Sequence, residues 1–278
     1  MAVLPLSANG IEKVRGSTPL ISTTFVYRRG IMKIGFLGAG KMAHGILAAM
    51  GEKERRGVLL SCIEDNRNAE VANKCDLVFL AVRPQDVDEL AAEVRPLLRA
   101  GQTIVSIVAG KTLEKLRNAF GPKVGLVRVM PNLALRAGAG MCAICPGPKA
   151  AKDAVAAVER ILGGAGATVR LKERDFDAVT ALSGSGPAYF AYMAQAMAEG
   201  GVALGLKPAV ARLLAEQTMY GTAKFLRESG MDLGTFIDGV CTKGGTTAAG
   251  MKFLSAPTFK KTVAKTLAAA ARRSKELA

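Results

Sequence analysis

Short apolar runs alternate with helical stretches from Met32 to Leu171, and this alternation restricts the fold more than any other feature of the sequence. The apolar runs are Lys33–Leu37, Val58–Ile63, Leu77–Val82, Thr103–Val108, Val124–Val129 and Thr168–Leu171. Helical patterns lie between them, for example over Pro84–Leu98 and Ala150–Leu162. Strands that alternate with helices predict a parallel sheet with helices on both faces.

The second half of the chain has a different pattern. After Glu173 the strand signal ends, and the sequence becomes rich in Ala, Leu and Met with helical periodicity. Turn residues interrupt it at Ser183–Pro187, Gly205–Pro208, Ser229–Gly234 and Cys241–Gly245. We therefore predict an α/β domain over residues 32–171 and an all-α domain over residues 172–278. Residues 1–31 have no periodicity and predict an unstructured extension, either a transit peptide or sequence upstream of a start at Met32.

The composition excludes several classes of site. The sequence has one histidine, His44, which cannot form a His-rich metal centre by itself, and any hydrolytic triad would depend on it alone. Cys142 and Cys145 form one Cys-x-x-Cys pair without a second pair to complete a zinc site. We interpret both as small apolar residues at the end of a strand and in a loop, and we expect no metal site.

The net charge and the numbers of aromatic residues and cysteines indicate which partners and which compartment to expect for the chain. Its 38 Lys and Arg against 23 Asp and Glu give a formal net charge of +15. We interpret this charge first as solvated surface and second as attraction for small anions. Nucleic acid is not expected, because Trp is absent and only 5% of residues are aromatic. No apolar run is long enough for a membrane span. Five irregularly spaced cysteines favour the reducing cytoplasm, or an organelle if residues 1–31 are a transit peptide.

A glycine-rich turn follows the first predicted strand. The string Gly38-Ala39-Gly40-Lys41-Met42-Ala43-His44 lies where this strand passes into the first helix. Glycines at such a junction let the backbone approach a pyrophosphate, which the free amides and dipole of the helix N-terminus then bind. The order of strand, turn and helix therefore predicts a Rossmann-like dinucleotide-binding domain. The alternative is a tight turn without a ligand.

The segment after the second predicted strand concerns the choice of cofactor. Glu64 and Asp65 suit a free ribose 2′-hydroxyl, whereas Asn66 and Arg67 suit a 2′-phosphate. By its position alone, this segment leaves NAD and NADP open.

Two strings in the helical half carry further signals. Ser183-Gly184-Ser185-Gly186-Pro187-Ala188-Tyr189 predicts a flexible turn and hinge before a long helix. The string from Asp238 to Thr247 contains a Gly-Gly turn with hydroxyl groups before another helix. Free amides, hydroxyls and a helix N-terminus predict an anion pocket of the size of a carboxylate. An ordinary N-cap made by Thr246 or Thr247 is an equal alternative.

Taken together, these strings resemble the pyrroline-5-carboxylate reductase family, whose members complete proline synthesis. The resemblance runs from Met32 to near the C-terminus. It rests on MKIGFLGAGKMA at 32–43, DLVFLAVRPQDV at 76–87, SIVAGKTL at 106–113, VMPN at 129–132, ALSGSGPAYF at 181–190 and KGGTTAAGM at 243–251. It implies NAD(P)H-dependent reduction of 1-pyrroline-5-carboxylate to L-proline. It also implies a nucleotide-binding domain followed by an all-helical domain that interlocks with its copy in a dimer, which commonly assembles further.

The resemblance also implies the residues of the site. Matching positions for cofactor contacts are Gly38, Ala39, Gly40, Lys41, Met42, Asn68, Ala81, Val82, Arg83, Pro84, Ala109 and Gly110. Matching positions for substrate contacts are Val240, Thr242, Gly244, Gly245, Thr246 and Thr247, and we add Ala109, whose loop should face both ligands. We hypothesise that the 244–247 turn holds the substrate carboxylate and that the Thr247 hydroxyl, the predicted catalytic group, hydrogen-bonds the ring nitrogen. NADPH is the expected cofactor and NADH its alternative.

The sequence departs from the family pattern at several positions. Leu133 and Ala134 follow Met-Pro-Asn where Thr-Pro is usual, Arg83-Pro84 replaces Lys-Pro, and Thr242-Lys243 replaces Ser-Pro. Residues 64–76 are too few for the further helix and strand of the family, so the sheet should be one βα element short beside the adenosine site. Two alternatives follow: a reductase of another cyclic imine acid, favoured by Lys243, and a catalytically silent dimer with impaired nucleotide binding.

Overall fold

The structure, a computed structural model, describes residues 32–277, so the predicted extension over residues 1–31 lies outside the described residues. The strands are β1 Ile34–Leu37, β2 Leu59–Ser61, β3 Leu77–Leu80, β4 Thr103–Ser106, β5 Gly125–Met130, β6 Gly140–Pro146 and β7 Gly166–Arg170. The α-helices are α1 Lys41–Ala49, α2 Glu52–Arg55, α3 Asn68–Lys74, α4 Val87–Val94, α5 Leu113–Phe120, α6 Lys152–Gly163, α7 Phe176–Val179, α8 Gly186–Ala203, α9 Pro208–Ser229, α10 Leu233–Val240, α11 Thr246–Leu254 and α12 Pro257–Leu277.

The strands form one sheet in the order β2-β1-β3-β4-β5-β6-β7. Neighbouring strands are parallel except β5 and β6, where Arg128 pairs with Cys145 in an antiparallel register. The predicted parallel sheet is therefore confirmed except at the pair of β5 and β6, and the sequence pattern did not predict β6. Cys142 and Cys145 lie within β6 and are buried, so they are apolar strand residues and not a strand end and loop.

Strand β3 shows why the sheet carries helices on both faces. All four of its residues are fully buried, and they alternate between two cores. Leu77 and Phe79 pack with α1 and α6 on one face, and the Phe79 ring stacks on Phe36 at 4.7 Å. Val78 and Leu80 pack with α3, α4 and α5 on the other face. A strand buried on both sides reads as a continuous apolar run, which explains why the sequence predicted it.

The region before β3 is short, as expected. The helical segment after the glycine-rich turn divides into α1 and α2 at Met50 and Gly51, where Met50 is extended at φ −75° and ψ 145°. Between β2 and β3 the chain forms α3 and no further strand within the described residues. Strand β2 therefore has β1 as its only neighbour in the described sheet and forms its edge.

The described chain packs as two units. The first contains the residues up to Gly184 and those from Ala270 on, and the second is Ser185–Ala269. The predicted boundary at about residue 172 is a division of the sequence and stays a prediction. Of the described helices, none is long and apolar enough to cross a membrane.

The second unit is entirely helical, as predicted, and exposes many large apolar side chains. Among them are Phe190, Tyr192, Leu204 and Phe253, which are 66%, 74%, 89% and 83% exposed. The side chains buried on α8 and α9 are small, namely Ala194, Ala211 and Ala215. A soluble monomer rarely exposes this much apolar surface, so these helix faces are suited to another protein surface.

Candidate active site

The turn after β1 requires glycine at its first position. Gly38 has φ +101°, a conformation that L side chains rarely adopt. A Cβ atom there would lie 2.6 Å from the Ala81 carbonyl oxygen, which is backbone at the end of β3. The Gly38 N–H donates to the Ser61 carbonyl at 3.0 Å, and the Ala81 N–H donates to Leu37 at 2.8 Å. Gly38 is therefore held between the ends of the two neighbouring strands.

The turn leads into a helix whose first turn has no side-chain cap. Gly40 is the N-cap of α1 in an extended conformation, and it makes no side-chain cap hydrogen bond. Among the described residues, a Cβ on Gly40 would meet only the Ala81 carbonyl oxygen, at 3.9 Å, so the turn is open here. The first N–H groups of a helix have no intrahelical acceptor, and the helix dipole favours an anion beside them. The exposed Lys41 adds a positive charge, and the turn thus fits the pyrophosphate of a dinucleotide.

The sheet topology brings the predicted cofactor residues to one edge. They follow four strands that are consecutive in the order β2, β1, β3 and β4. These strands are parallel, so their carboxyl ends lie side by side. The residues concerned are Asn68 after β2, Gly38–Met42 after β1, Ala81–Pro84 after β3 and Ala109–Gly110 after β4. Their role in binding stays a prediction.

The predicted ribose segment is already held by internal contacts. Arg67 forms an ion pair with Glu70 at 2.7 Å. Lys74 and Arg67 both donate to Glu70 and hold the pKa of its carboxyl below the usual value. Asn68 accepts a hydrogen bond from the Ser61 hydroxyl and donates to Glu93, each at 2.8 Å. A 2′-phosphate would therefore compete with Glu70 for Arg67.

The turn predicted for the substrate lies before α11, in the second unit. The Gly245 N–H donates to the Thr242 carbonyl at 3.0 Å and closes a four-residue turn. Gly244 has φ +75°, which glycine adopts without strain. Gly245 is the N-cap of α11, and no side chain caps this helix. The alternative of an ordinary cap by Thr246 or Thr247 was therefore wrong, since both threonines lie inside the first turn.

The hydroxyl groups around this turn differ in their surroundings. A Cβ on Gly245 would lie 2.5 Å from Thr242 Oγ1, so the Thr242 hydroxyl lies directly against the turn. The half-buried Thr247 has no hydrogen-bond partner for its hydroxyl among residues 32–277. Lys243 is exposed, and Val240 ends α10 with 48% exposure. This turn therefore offers free N–H groups, one cation and the hydroxyls of Thr242, Thr246 and Thr247, none of which has a hydrogen-bond partner among residues 32–277.

The segment predicted to be a flexible hinge is helical. Thr180–Gly184 form a π-helix, Ser185 follows as a bend, and α8 begins at Gly186 with Pro187 in its first turn. The Asn132 side chain donates to the Ser183 carbonyl at 3.2 Å and accepts from the Met141 N–H at 3.1 Å. Sequence reasoning assigned no role to Asn132. A π-helix inside an α-helical stretch often marks a functional site.

An ion pair with a buried arginine was also missed by the sequence analysis. Arg128 on β5 is bound to Glu173 at 2.9 Å. The only signal for it was a charged residue inside the apolar string Gly-Leu-Val-Arg-Val-Met.

Comparison with known families matches both halves of the chain. Residues 173–277 match the family described as pyrroline-5-carboxylate reductase dimerisation. Residues 61–110 match the family described as NADP oxidoreductase, coenzyme F420-dependent. The helical half thus matches a dimerisation domain, and the chain has a region for self-association.

Individual relatives match over nearly their whole length. The pyrroline-5-carboxylate reductase of Synechocystis is 36% identical, over 88% of this chain and 98% of that protein. The Arabidopsis thaliana enzyme is 35% identical, over 88% and 95%. The NADP-bound structure of the Plasmodium falciparum enzyme has a TM-score of 0.76 and 29% identity, with 88% and 98% covered. The Coxiella burnetii structure has a TM-score of 0.81 and 28% identity, with 89% and 98% covered. The chain therefore belongs to the pyrroline-5-carboxylate reductase family.

Proposed function

We propose that this protein reduces 1-pyrroline-5-carboxylate to L-proline with NADPH. The observation that carries the proposal is the turn before α11, where two glycines, a helix N-terminus without a side-chain cap and threonine hydroxyls without a partner among residues 32–277, Thr247 among them, lie together. This arrangement suits a small substrate that has a carboxylate and a ring nitrogen. The relatives of the chain are named for this reaction.

The first unit supplies the cofactor site. The backbone of Gly38–Met42 binds the pyrophosphate, because the free N–H groups at the start of α1 donate to it and the absence of a side chain at Gly40 leaves room for it. Ala81–Pro84 and Ala109–Gly110 line the route along the sheet edge. When bound, NADPH supplies a hydride. The preference for NADPH over NADH rests on Arg67 and on the positive charge of the chain, and Glu64 and Asp65 oppose it.

The turn before α11 supplies the substrate site. The N–H groups at the start of α11 hold the carboxylate, and the helix dipole together with Lys243 favours its charge. Thr247 Oγ1 accepts a hydrogen bond from the protonated ring nitrogen and orients the C=N bond. The hydride adds to the ring carbon, and the electron pair of the C=N bond moves to nitrogen. The substrate arrives protonated, so no strongly shifted acid or base is needed.

The test is a spectrophotometric assay of NADPH oxidation with 1-pyrroline-5-carboxylate, together with identification of L-proline. Circular dichroism and a cooperative melting curve establish that the protein is folded. We expect turnover with NADPH and slower turnover with NADH. Absence of turnover with both cofactors in folded protein would refute the proposal.

The two alternatives are separated in the same assay. Lys243, which stands where the family usually has Pro, favours a different cyclic imine acid, and faster turnover of the six-membered analogue would select it. Strand β2 is an edge strand with one neighbour in the described sheet, which favours a catalytically silent homologue. A calorimetric titration with dinucleotide that detects no binding would select this alternative.

We also propose that the partner of the second unit is a second copy of this chain, as a homodimer or a larger assembly. The exposed apolar side chains of α8, α9 and α11 support this, because a copy would bury them. Light scattering at micromolar concentration should give at least twice the mass of 29.0 kDa, and a monomeric mass would refute it. The five free cysteines support a reducing location such as the cytoplasm, which cell fractionation would test.

A further inference from the structure

One buried charge in the first unit has no part in the proposed chemistry. Arg128, on β5, has a side chain that is only 6% exposed. Its guanidinium donates to Glu173 Oε1 at 2.9 Å and lies 4.7 Å from the centre of the Phe176 ring. Ala143, Cys145 and Phe176 form an apolar cluster beside it. The Glu173 side chain is 32% exposed, and its removal would leave the buried Arg128 charge uncompensated.

The same carboxylate oxygen has a second partner. The Leu113 N–H donates to Glu173 Oε1 at 2.6 Å. Leu113 is the first residue of α5, so the negative charge also lies at the positive end of this helix. Glu173 therefore connects the start of α5 to the side chain of Arg128.

Arg128 is also connected to the other end of the same loop. Its backbone pairs with Ser106, the last residue of β4, in the parallel ladder. The loop 107–112 joins β4 to α5 and contains Ala109 and Gly110. Both ends of this loop are thus held through Arg128, one by the ladder and one by Glu173. One residue before the end of the loop, Lys111 pairs with Asp88 at 3.0 Å.

We propose that Arg128 and Glu173 are positioning residues, which hold the 107–112 loop in the geometry needed for hydride transfer. The inference rests on the proposed function, in which Ala109 and Gly110 belong to the cofactor site of the first unit. Arg128 and Glu173 do not touch either ligand in this proposal. They act through the backbone between Ser106 and Leu113. A small displacement of such a loop costs much more in turnover than in binding, because transfer depends steeply on the geometry of the reacting atoms.

The test compares two substitutions of Glu173 with a matched control. Glu173→Ala removes the charge and the acceptor, and Glu173→Gln keeps an acceptor oxygen but removes the charge. Glu114→Ala is the control, because Glu114 is an exposed carboxylate in the first turn of the same helix. Three quantities are measured: kcat and KM, the deuterium isotope effect on kcat with the transferred hydrogen of NADPH labelled, and hydrogen exchange of amides 108–113.

For Glu173→Ala we expect kcat to fall about tenfold, the KM for NADPH to stay within about twofold, and the isotope effect on kcat to rise. Amides 108–113 should exchange faster. Glu173→Gln should lose about threefold in kcat, because a neutral acceptor makes the weaker hydrogen bond. Glu114→Ala should match the parent in all three measurements.

Several results would overturn the proposal. The proposal is wrong if folded Glu173→Ala has an unchanged isotope effect and unchanged hydrogen exchange. This holds even if kcat is lower, because a smaller fraction of folded protein would lower kcat without changing the isotope effect. If Glu173→Ala does not fold, Glu173→Gln decides by the same measurements. If the parent itself has no turnover, the proposed function fails, and hydrogen exchange alone decides whether the pair holds the loop.

Discussion

Two glycines of the same turn should respond in opposite ways to substitution by alanine. Gly38 has φ +101°, and an added Cβ would lie 2.6 Å from the Ala81 carbonyl oxygen and 2.9 Å from Val82 Cγ1. Gly40 has φ −70°, and an added Cβ would be 3.9 Å from its only neighbour. Gly38→Ala should therefore destabilise the fold, and Gly40→Ala should reduce cofactor binding with little change in stability.

The size of the first effect follows from two contributions. A non-glycine residue in this backbone region costs about 1 to 3 kcal/mol. Insertion of a methyl group into a backbone contact adds about 1 to 3 kcal/mol, because the end of β3 must move. A loss of about 3 kcal/mol lowers the melting temperature by roughly 6 to 12 °C for a chain of this size. Gly40→Ala changes only a helix cap, which costs about 0.5 kcal/mol.

Thermal unfolding and calorimetric titration with NADPH separate the two effects. For Gly40→Ala we expect an unchanged melting temperature within about 2 °C and at least about tenfold weaker NADPH binding, equivalent to about 1.4 kcal/mol. Equal melting temperatures for Gly38→Ala and the parent would show that the contact with Ala81 is not tight. Unchanged NADPH affinity in Gly40→Ala would show that the backbone here does not approach the pyrophosphate.

Three further predictions concern single side chains. Thr247→Ala should lower turnover by about one to two decades, equivalent to roughly 1.5 to 3 kcal/mol, with little change in NADPH affinity. The control Thr247→Ser keeps the hydroxyl and should retain activity. Unchanged turnover in Thr247→Ala would show that this residue is not part of the site. Arg67→Ala should lower the NADPH over NADH ratio of kcat/KM by about tenfold, and a ratio indifferent to the substitution would show that Arg67 serves only Glu70. Burial raises the pKa of Cys142 to about 12, so the fraction of Cys142 present as thiolate is about one in ten thousand near pH 8 and increases as the pH rises. A thiol-reactive disulfide reagent at pH about 8 should therefore label the half-buried Cys241 and spare Cys142. Equal labelling of the two cysteines would contradict the burial of Cys142.

The elements that the sequence predicted best are those with local signals. The β3 run was recognised because all of its residues are apolar, and the structure buries them on both faces. The turn at Gly38 was recognised from its glycines, and the backbone there does need a positive φ. The breaks between the long helices were placed within a few residues, because glycine and proline end helices through their own backbone preferences.

The elements that the sequence missed depend on distant partners. Strand β6 contains one glycine, two cysteines and a terminal proline, and it becomes a strand because β5 on one side and β7 on the other complete its hydrogen bonds. The hydroxyls of Thr246 and Thr247 suggested an N-cap, but the turn closed by Thr242 and Gly245 moves the helix start to Gly245. Here the packing of the turn overrode the local preference.

By itself, the sequence determined the class of fold, the glycine-rich turn, the order of the two halves and the family. Those features arise from periodicity and turn chemistry, which act between residues close in the chain. Only the tertiary structure decided that β2 is an edge strand, that β6 runs antiparallel to β5, and that Arg128 meets Glu173 across 45 residues. A charged residue in an apolar strand has no visible partner in the sequence, because the partner is chosen by how the chain folds back on itself.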